Sequence, residues 1–397
     1  MLATPTSTPS GTVAGAPSPL RVMHVTYKFG VGGMEVGIAK LVNGLDPALV
    51  ASSICSSVPG DSLKERLRPG VKLFELNRRR GNDPSLVADL YRLFKRERPH
   101  VVHTHRWGTL LEGALAARLA GVPYIVHGEH GTLETRWRNA WVQRRLWHHV
   151  DRVLSVSSRL AERMSRELRF PLDRISVIRN GLDLNRFQPV ADKAAAKRAL
   201  GIAPDRLVIG TVGRTVPVKD HPTFLRALAR VRAAGIDFAA VIAGTGPAFQ
   251  DTVRLVESLN LGHDVQLLGN RDDVDLVLRA FDIFVLSSSS EGLSNTIQEA
   301  MATGLPVVAT NVGGADELVV EGRTGVLTPA GDDRAMAEAL AALARDGARR
   351  ASLGRTGAER AHAHFGIERM FRDYEKMYLG LGATAASAVQ RTRSHEA

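Results

Sequence analysis

The chain has one cysteine, Cys55, in 397 residues, so it can form neither an intrachain disulfide nor a cysteine-rich metal framework. It also lacks any uninterrupted run of about 18 apolar residues, which argues against a transmembrane helix. Residues 1–20 have no basic start, and their Pro, Ser, Thr, Gly and Ala content cannot support a packed element. We therefore expect a disordered N-terminal tail and a cytoplasmic protein that works under reducing conditions.

Length and charge narrow the possibilities further. A chain of 397 residues is too long for one ordinary core and favours two domains. Its 52 Lys and Arg residues outnumber its 41 Asp and Glu residues, which gives a formal net charge of +11. This excess favours an anionic partner, but charge alone does not choose among nucleotide phosphates, acidic lipid surfaces and nucleic acid.

Short β-rich runs alternate with helical stretches, which predicts parallel sheets covered by helices. The first series is RVMHVT, ASSIC, VKLFEL, HVVHTH, YIVHGE, RVLSVS and ISVIRN; the second is LVIGTVG, FAAVIAG, VQLLG, DIFVLSS, PVVAT and GVLTP. A polar, proline-containing segment near residues 187 to 200 separates the two series and reads as a linker. We therefore predict an α/β protein with two Rossmann-like domains, residues 21–187 and 188–366.

Ligands of open parallel sheets collect at the carboxyl ends of the strands, so the loops there are candidate binding sites. Arg214 and Lys219 follow the first strand of the second series, where they could hold a diphosphate or be solvated surface charges. Gly244 and Gly246 follow the next strand. They allow a ligand to approach the backbone, although ordinary tight turns also use glycine.

The stretch EGLSNTIQEAMATGLPVVATNVGG, which starts at Glu291, places two carboxylates eight residues apart. EGLSN is typical of a turn, TIQEAMATG of a short helix that ends at Gly304, and LPVVAT of a strand. Glu291 then lies in the loop and Glu299 on the helix. Without further context, Glu299 would be an ordinary surface residue and Glu291 a partner of the helix dipole.

The segments VGRTVPVKD, AGTGP and EGLSNTIQEAMATGLPVVATNVGGADELV together resemble the C-terminal domain of the retaining glycosyltransferases of family 4, which have the GT-B fold. A Glu-x7-Glu pair is the hallmark of that family, and Glu291 and Glu299 match it. FGVGGMEVGIAKLVNGL and VIRNGLDLNRFQP resemble the family's N-terminal domain. FGIERMFRDYEKMYLGL resembles its final helix, so we expect residues 367–383 to cross back to the N-terminal domain and residues 384–397 to form a flexible tail.

The resemblance implies roles for the second domain, which would bind a nucleotide-sugar (NDP-sugar) donor. Glu299 would bind the ribose hydroxyls of the donor, because a carboxylate can accept two hydrogen bonds, and Glu291 would face the donor sugar. The amides of Gly292, Leu293 and Ser294, at a helix N-terminus, would donate to phosphate or sugar oxygens.

Leaving-group stabilisation is the second implied role. Arg214 and Lys219 would neutralise the diphosphate as the glycosidic bond breaks, so we expect no obligatory metal. The nucleotide base is expected to contact backbone groups near Gly269, Asn270 and Arg271, so the side chains there do not identify the base.

Histidines cluster near two strand ends of the first domain. His103 and His105 share a strand face, which makes a zinc site conceivable, but no cysteine or acidic partner has ligand spacing. The family places a donor-contacting histidine after the fifth strand, where HGEHG offers His127 and His130, and His130 fits the position better. Glu129 would orient it or bind acceptor.

The glycine loop of the first domain, with Gly30, Gly32 and Gly33, departs from the strict G-x-G-x-x-G pattern of dinucleotide-binding proteins. The second predicted strand ends in Ser56 and Ser57 instead of the acidic residue that would hold the ribose of NAD. An NAD-type oxidoreductase is therefore disfavoured, and the resemblance places this loop near the donor phosphate and the acceptor. A noncatalytic sugar- or nucleic-acid-binding protein is the other alternative, supported mainly by the basic charge.

The segment TLETRWRNAWVQRRLWHHV places Trp137, Trp141 and Arg145 at helical spacing among basic residues. This pattern is compatible with a membrane-interface helix and equally with a core helix whose outer face is basic. Together with the basic run at residues 78–80, it makes an anionic membrane surface a candidate partner.

The resemblance to family 4 implies a retaining GT-B enzyme, and we expect it to move a sugar from an NDP-sugar to a glycan or polyisoprenoid-linked acceptor. The acceptor would bind the first domain. HGEHG and RRRGNDP resemble a bacterial branch associated with exopolysaccharide and exosortase systems, which implies cell-surface polysaccharide synthesis. We expect a peripheral protein on the inner face of the cytoplasmic membrane and no nucleic-acid partner.

Overall fold

The structure, a computed structural model, describes residues 18–30, 32–60, 62–78, 85–131, 133, 137–190 and 192–393. Residues 1–17 of the predicted tail lie outside this range, and Leu20, its last residue, already opens the first strand. Within the described residues, both predicted series of strands form, each as a separate parallel sheet.

The first sheet contains all seven strands predicted for the first half of the chain. They are β1 (Leu20–Lys28), β2 (Val50–Val58), β3 (Lys72–Glu75), β4 (Val101–His105), β5 (Tyr124–Glu129), β6 (Arg152–Ser155) and β7 (Ile175–Val177). Their order is β3-β2-β1-β4-β5-β6-β7, so the order reverses between β1 and β4. Loops at this reversal leave a crevice for a ligand at the carboxyl ends of the strands.

The second sheet repeats the arrangement with six strands. They are β8 (Val208–Val212), β9 (Ala239–Ala243), β10 (Val265–Gly269), β11 (Ile283–Leu286), β12 (Val307–Thr310) and β13 (Gly325–Thr328). Their order is β10-β9-β8-β11-β12-β13, which reverses between β8 and β11. The strands β8, β9, β11 and β12 are buried along their whole length because helices cover both faces.

Helices occupy the connections between the strands. In the first half they are α1 (Gly33–Gly44), α2 (Ser85–Glu97), α3 (Trp107–Ala120), α4 (Trp137–Trp147) and α5 (Ser158–Leu168), followed by α6 (Ala194–Ala199). In the second half they are α7 (His221–Ala233), α8 (Phe249–Ser258), α9 (Val274–Arg279), α10 (Asn295–Ala302), α11 (Ala315–Leu318), α12 (Asp333–Arg345), α13 (Gly347–His364) and α14 (Ile367–Arg393). Across the described residues, no helix is both long and apolar enough to span a bilayer.

The helix α14 packs on the first sheet, as the family resemblance implies. Its residues Met370, Tyr374 and Tyr378 are buried in one apolar cluster with residues of β1, β4 and β5. A side chain on Gly44 of α1 would overlap the ring of Phe371, so the two helices approach at a glycine. The helix continues to Arg393, beyond the end predicted at residue 383, so the residues predicted as a tail begin in helix; residues 394–397 lie outside the described range.

The segment predicted as a linker contains the short helix α6 and packs on the second half of the chain. Lys197 is buried there, and its Nζ donates to Asp282 at 2.7 Å and to the carbonyl of Arg206 at 2.9 Å. A buried ammonium with these partners fixes the segment, because leaving the charge unpaired would be costly.

Candidate active site

The two sheets face each other across a cleft that holds a pocket of about 390 Å³. Almost every predicted site residue lines it, at the carboxyl ends of the strands nearest each order reversal. From the first half these are Gly32, Gly33 and His130; from the second they are Arg214, Lys219, Gly244, Asn270, Arg271, Glu291, Gly292, Leu293, Ser294 and Glu299. Sequence positions up to 267 residues apart thus form one site because both sheets point their strand ends into it.

Glu291 is held in place by two donors. Its Oε1 accepts from Lys219 Nζ at 2.6 Å and from Ser288 Oγ at 2.6 Å. The side chains of Glu291 and Lys219 are 14% and 21% exposed, so the ion pair is largely shielded from water. With Oε1 occupied, Oε2 is the atom left for a ligand in the pocket.

Glu299 has a different environment. It lies on α10, as predicted, and its carboxylate makes no hydrogen bond or ion pair to any described residue. Burial raises its pKa from 4.5 to about 7, an effect that the charges of Lys40 and Arg186 only partly offset. A half-buried, unpaired carboxylate that lines a pocket is suited to accept hydrogen bonds from a ligand.

The loop between the two carboxylates offers free amides. Ser294 caps α10 by accepting from the amide of Ile297, and the pocket-lining amides of Gly292, Leu293 and Ser294 donate to no described residue. Such amides at a helix start bind anions or hydroxyl oxygens.

Gly292 also touches the other half of the protein. A side chain there would overlap the carbonyl of His130, and one on Gly131 would lie 2.8 Å from the amide of Gly292. Both positions need glycine because the two walls of the cleft meet backbone to backbone.

Gly244 and Gly246, predicted to let a ligand approach the backbone, both pack against a neighbouring backbone carbonyl. A side chain on Gly244, which lines the pocket, would overlap the carbonyl of Gly213, and Gly244 has φ +143. Gly246 lies behind the pocket against the carbonyl of Thr215 and does not contact the cavity. Loop packing therefore explains both glycines, whereas open space adjoins Gly33.

The structure separates the two candidate histidines. His130 lines the pocket, whereas His127 is buried behind it, with Nδ1 2.9 Å from Thr104 Oγ1 and Nε2 3.0 Å from Glu129 Oε1. Glu129 is buried too and accepts from Gln143 at 2.6 Å. The expectation that Glu129 orients His130 directly is therefore wrong, because Glu129 contacts His127 and Gln143; acceptor binding by Glu129 stays a prediction.

Three buried histidines of the first sheet come close to one another. Nitrogen atoms of His24, His103 and His105 lie within 4.8 Å of each other, so these residues could hold a metal ion. His24 Nδ1 and His105 Nε2 are 3.0 Å apart, the distance of an N–H···N hydrogen bond. His103 Nδ1 lies 2.7 Å from the hydroxyl of Tyr378.

Sequence reasoning missed two cations that line the pocket from the first half, Lys40 and Arg106. Arg106 directly follows β4, so the rule that ligands collect at strand ends could have found it. Its backbone has φ 64 and ψ 164, a conformation that glycine favours and that costs other residues about 1–3 kcal/mol. The Arg106 amide is held by the carbonyl of Gly128 at 2.9 Å. Lys40 lies inside α1, where sequence gives no such signal.

Comparison with known proteins supports an assignment for both halves. Residues 31–186 match the family described as Glycosyltransferase Family 4, and residues 192–360 match Glycosyl transferases group 1. A UDP-Gal:alpha-D-GlcNAc-diphosphoundecaprenol alpha-1,3-galactosyltransferase of Escherichia coli is 34% identical over 66% of this chain and 71% of that protein. The putative glycosyltransferase EpsF of Bacillus subtilis is 33% identical over 73% of this chain and 79% of that protein.

Solved structures show the same fold. HepE from Anabaena, in complex with UDP and glucose, superposes with a TM-score of 0.79 at 22% identity, over 90% of this chain and 99% of that one. Two facing Rossmann-like sheets with a cleft between them define the GT-B fold. The chain belongs to the group 1 glycosyltransferases of family 4. The alternatives of an NAD-type oxidoreductase and a noncatalytic binding protein are therefore wrong.

Proposed function

We propose that the protein transfers a sugar, with retention of anomeric configuration, from an NDP-sugar to a glycan or polyisoprenoid-linked acceptor. The observation that carries this proposal is the pairing of an anchored carboxylate, Glu291, with a free one, Glu299, in one cleft. Solved structures of the same fold hold UDP or UDP-glucose, which supports a nucleotide-sugar donor. Retention rests on family membership.

The donor would bind the second half of the cleft. Glu299 would accept from the ribose hydroxyls, and Glu291 Oε2 from a hydroxyl of the sugar. Arg214, whose side chain makes no hydrogen bond or ion pair to a described residue, and the amides after Glu291 would hold the diphosphate. Lys219 would share its charge between Glu291 and the departing diphosphate. These groups supply the positive charge that a metal provides in other transferases, so we propose that no metal is required.

The acceptor would enter from the first half of the cleft. Arg106 and Lys40 line that wall, and neither makes an ion pair with a described residue. The name of the Escherichia coli relative specifies a diphosphate-linked lipid acceptor. Cations on the acceptor wall suit an acceptor of that chemistry because guanidinium and ammonium groups bind phosphate oxygens.

A membrane-facing surface would bring such an acceptor within reach. On α4, Trp137 and Trp141 are 76% and 61% exposed, whereas Trp147 is buried, so the first two are not core residues. The neighbouring helix α3 exposes Leu111, Leu115 and Leu119 at intervals of four residues. Contiguous exposed apolar residues of this kind mark an interaction surface.

Basic residues accompany this apolar surface. Arg138 and Arg145 lie over the rings of Trp137 and Trp141, and Arg144 follows on the same helix. Tryptophan prefers the headgroup region, and each nearby arginine adds about 1 kcal/mol of attraction to an anionic surface. We propose reversible attachment to the inner face of the cytoplasmic membrane.

Of the basic run at residues 78–80, the structure describes only Arg78. Arg78 is paired with Asp89 and Ser85, and residues 79 and 80 lie outside the described range. The proposed setting, exopolysaccharide or other cell-surface polysaccharide synthesis, is supported by the HGEHG resemblance.

The function is tested by incubating the purified protein with UDP-, GDP- and ADP-sugars and a polyprenyl-diphosphate-linked sugar, with and without EDTA. Transfer should occur with one donor class and survive EDTA, and the product should keep the anomeric configuration of the donor. NAD serves as a negative control for binding. Inversion would refute the retaining mechanism, and strict dependence on Mg²⁺ or Mn²⁺ would refute the metal-free proposal.

Membrane attachment has a separate test by co-sedimentation with vesicles that contain acidic lipid, at low and high salt. Leu115→Ser and Trp141→Ala should each weaken binding. Leu276→Ser is the matched control, because Leu276 is 49% exposed against 46% for Leu115 but lies on α9 of the other domain. Equal binding by Leu115→Ser and Leu276→Ser would refute the proposed surface, as would wild-type protein that ignores acidic vesicles.

A further inference from the structure

A chain of three histidine rings runs from the pocket into the interior of the first sheet. His24 on β1, His105 at the end of β4 and His130 after β5 stand on adjacent strands. His24 Nδ1 lies 3.0 Å from His105 Nε2, and His105 Nδ1 lies 3.0 Å from His130 Nε2. Since His130 Nε2 faces His105, its Nδ1 is the nitrogen available to a ligand.

The rings of this chain are neutral at ordinary pH. Burial lowers the pKa of His24 to about 3, and burial together with the charge of Arg106 lowers the pKa of His130 to about 3. Burial and the neighbouring histidines hold the pKa of His105 well below its usual value. A neutral imidazole has one N–H and one bare nitrogen, so two hydrogen bonds in series allow only two arrangements. Either all three rings carry the proton on Nδ1, or all three carry it on Nε2.

The inner end of the chain distinguishes these arrangements. His24 Nε2 is buried and has no hydrogen-bond partner among the described residues. In the Nε2–H arrangement it would be a buried donor without an acceptor, which is rare in native proteins. In the Nδ1–H arrangement it is only an unfilled lone pair. The Nδ1–H arrangement is therefore favoured, and it turns the Nδ1–H of His130 outward.

We propose that His24 and His105 are positioning residues that fix His130 as an Nδ1–H donor to an oxygen atom of the bound donor substrate. This inference rests on the proposed function, because it requires an NDP-sugar beside His130. If His130 is held in the Nδ1–H tautomer, no free energy of substrate binding is spent on converting it from the other tautomer, in which Nδ1 can only accept a hydrogen bond. Neither His24 nor His105 needs to touch the substrate in a catalytic step.

A metal ion is the competing use of the same side chains, since nitrogen atoms of His24, His103 and His105 cluster. Metal ligation requires bare nitrogens, whereas the close pairs already fit N–H···N bonds. Glu129, a buried carboxylate on β5, directs its Oε1 at His127 and Gln143 and makes no recorded contact with this cluster. The hydrogen-bonded chain is therefore the better description.

The first experiment reads the tautomers directly by long-range ¹⁵N–¹H NMR of histidine-labelled protein, with single His→Gln variants for assignment. The wild type should show Nδ1–H for His24, His105 and His130. An Nε2–H signal from His130 would overturn the proposal. One equivalent of tightly bound zinc per chain in the purified protein would also overturn it.

The second experiment uses kinetics with a matched control on the same strand. His105→Leu should lower kcat/KM for the donor about tenfold, the loss expected for one neutral hydrogen bond. His105→Asn, whose amide can still donate toward His130, should recover part of that loss. His103→Leu is the control because His103 is equally buried but bonds Tyr378 instead of the chain. Equal losses in His103→Leu and His105→Leu, or no recovery in His105→Asn, would show a merely structural role.

Nucleoside diphosphate binding separates this inference from the proposed function. Wild type and His105→Leu should both bind UDP, GDP or ADP in calorimetry, because the nucleotide contacts lie on the second domain. Wild type that binds none of them refutes the proposed function. Normal nucleotide binding with unchanged kcat/KM in His105→Leu refutes only the role of the histidine chain.

Discussion

The replacement of Glu299 by glutamine probes the donor site through its dependence on pH. In the free protein the pKa of Glu299 is about 7, raised by burial from 4.5, so the carboxyl is about half protonated at neutral pH. Ribose hydroxyls bind the ionised form better, because a carboxylate accepts two hydrogen bonds and a carboxylic acid uses one oxygen as a donor. Donor affinity should therefore fall as pH drops below about 7.

The magnitude follows from one charge-assisted hydrogen bond. Its loss costs about 1.5–3 kcal/mol, so with a pKa of about 7 the dissociation constant should rise about 10- to 60-fold between about pH 8 and about pH 5. Glu299→Gln keeps the shape of the side chain and one hydrogen-bond acceptor, but the amide does not ionise. Its affinity should be low and independent of pH over the same interval.

Stability should change in the opposite direction. Because the folded-state pKa is raised, Glu299 favours folding most below pH 4.5, and this contribution is lost as pH rises through about 7. The loss is at most about 3 kcal/mol and is reduced by water in the pocket. Without donor, Glu299→Gln should therefore melt at a higher temperature than the wild type at pH 8, and the difference should vanish in acid.

The assay is calorimetric titration with an NDP-sugar, whose phosphates do not titrate in this pH range, and with its 2′,3′-dideoxy analogue, which lacks the ribose hydroxyls. The wild type should show the pH dependence with the first ligand and lose it with the second. A dissociation constant for the first ligand that stays constant across pH 7, or an identical inflection in Glu299→Gln, would refute the assigned contact.

Three further predictions concern charges and contacts of the cleft. Arg214→Ala and Lys219→Ala should each lower kcat/KM by an amount that corresponds to about 2–4 kcal/mol of transition-state stabilisation. The larger loss is expected for Lys219, because its removal also leaves Glu291 without its ion pair. Near-wild-type kinetics would contradict both roles. Gly292→Ala should lower kcat while the protein stays folded, because its methyl group meets the carbonyl of His130; unchanged turnover would show that the walls need not touch. Arg106→Gly should have a higher Tm than Arg106→Ala, because glycine relieves backbone strain of about 1–3 kcal/mol. Both variants should raise KM for a phosphate-bearing acceptor. An acceptor KM equal to that of the wild type would show that Arg106 does not belong to the acceptor site.

Much of the fold could be predicted because each strand is a short β-branched run between helical segments. All strands anticipated from sequence form, and the carboxyl-end rule together with the Glu-x7-Glu resemblance placed Glu291 and Glu299 in the cleft. Elements are encoded locally in this way, so periodicity and end signals suffice. The packing of the predicted linker could not be predicted in this way, because the bond between Lys197 and Asp282 is a tertiary contact.

Other features could not be predicted from the sequence, because they depend on which side chains the fold brings together. Periodicity did not distinguish a core helix from an interface helix, and only packing shows that Trp141 is exposed and Trp147 buried. The partner of Glu129 and the link between His24 and His130 are set by ring orientations on three adjacent strands. Gly246 matched a ligand-approach pattern although its neighbour is the carbonyl of Thr215.

The contacts between the two walls of the cleft differ from those that hold the side chains within each wall. The chain crosses between the halves at two adjacent points, where Leu182 and Gly366 form an isolated parallel bridge and Leu182 bonds Phe365 and Ile367 at 2.8 and 3.0 Å. At the cleft rim, by contrast, the halves are joined by exposed ion pairs, among them Arg66–Asp272.

Such exposed pairs are worth about 0–1 kcal/mol each, so closure at the rim is weakly held. The contacts that fix the catalytic side chains stay within one half: Lys219 with Glu291 in the second, and His105 with His130 in the first. Rotation about the paired crossings would therefore break the Gly131–Gly292 contact, the buried hydrogen bond from Ser157 Oγ to the carbonyl of Gly292 and the rim pairs, yet leave the Lys219–Glu291 and His105–His130 pairs intact.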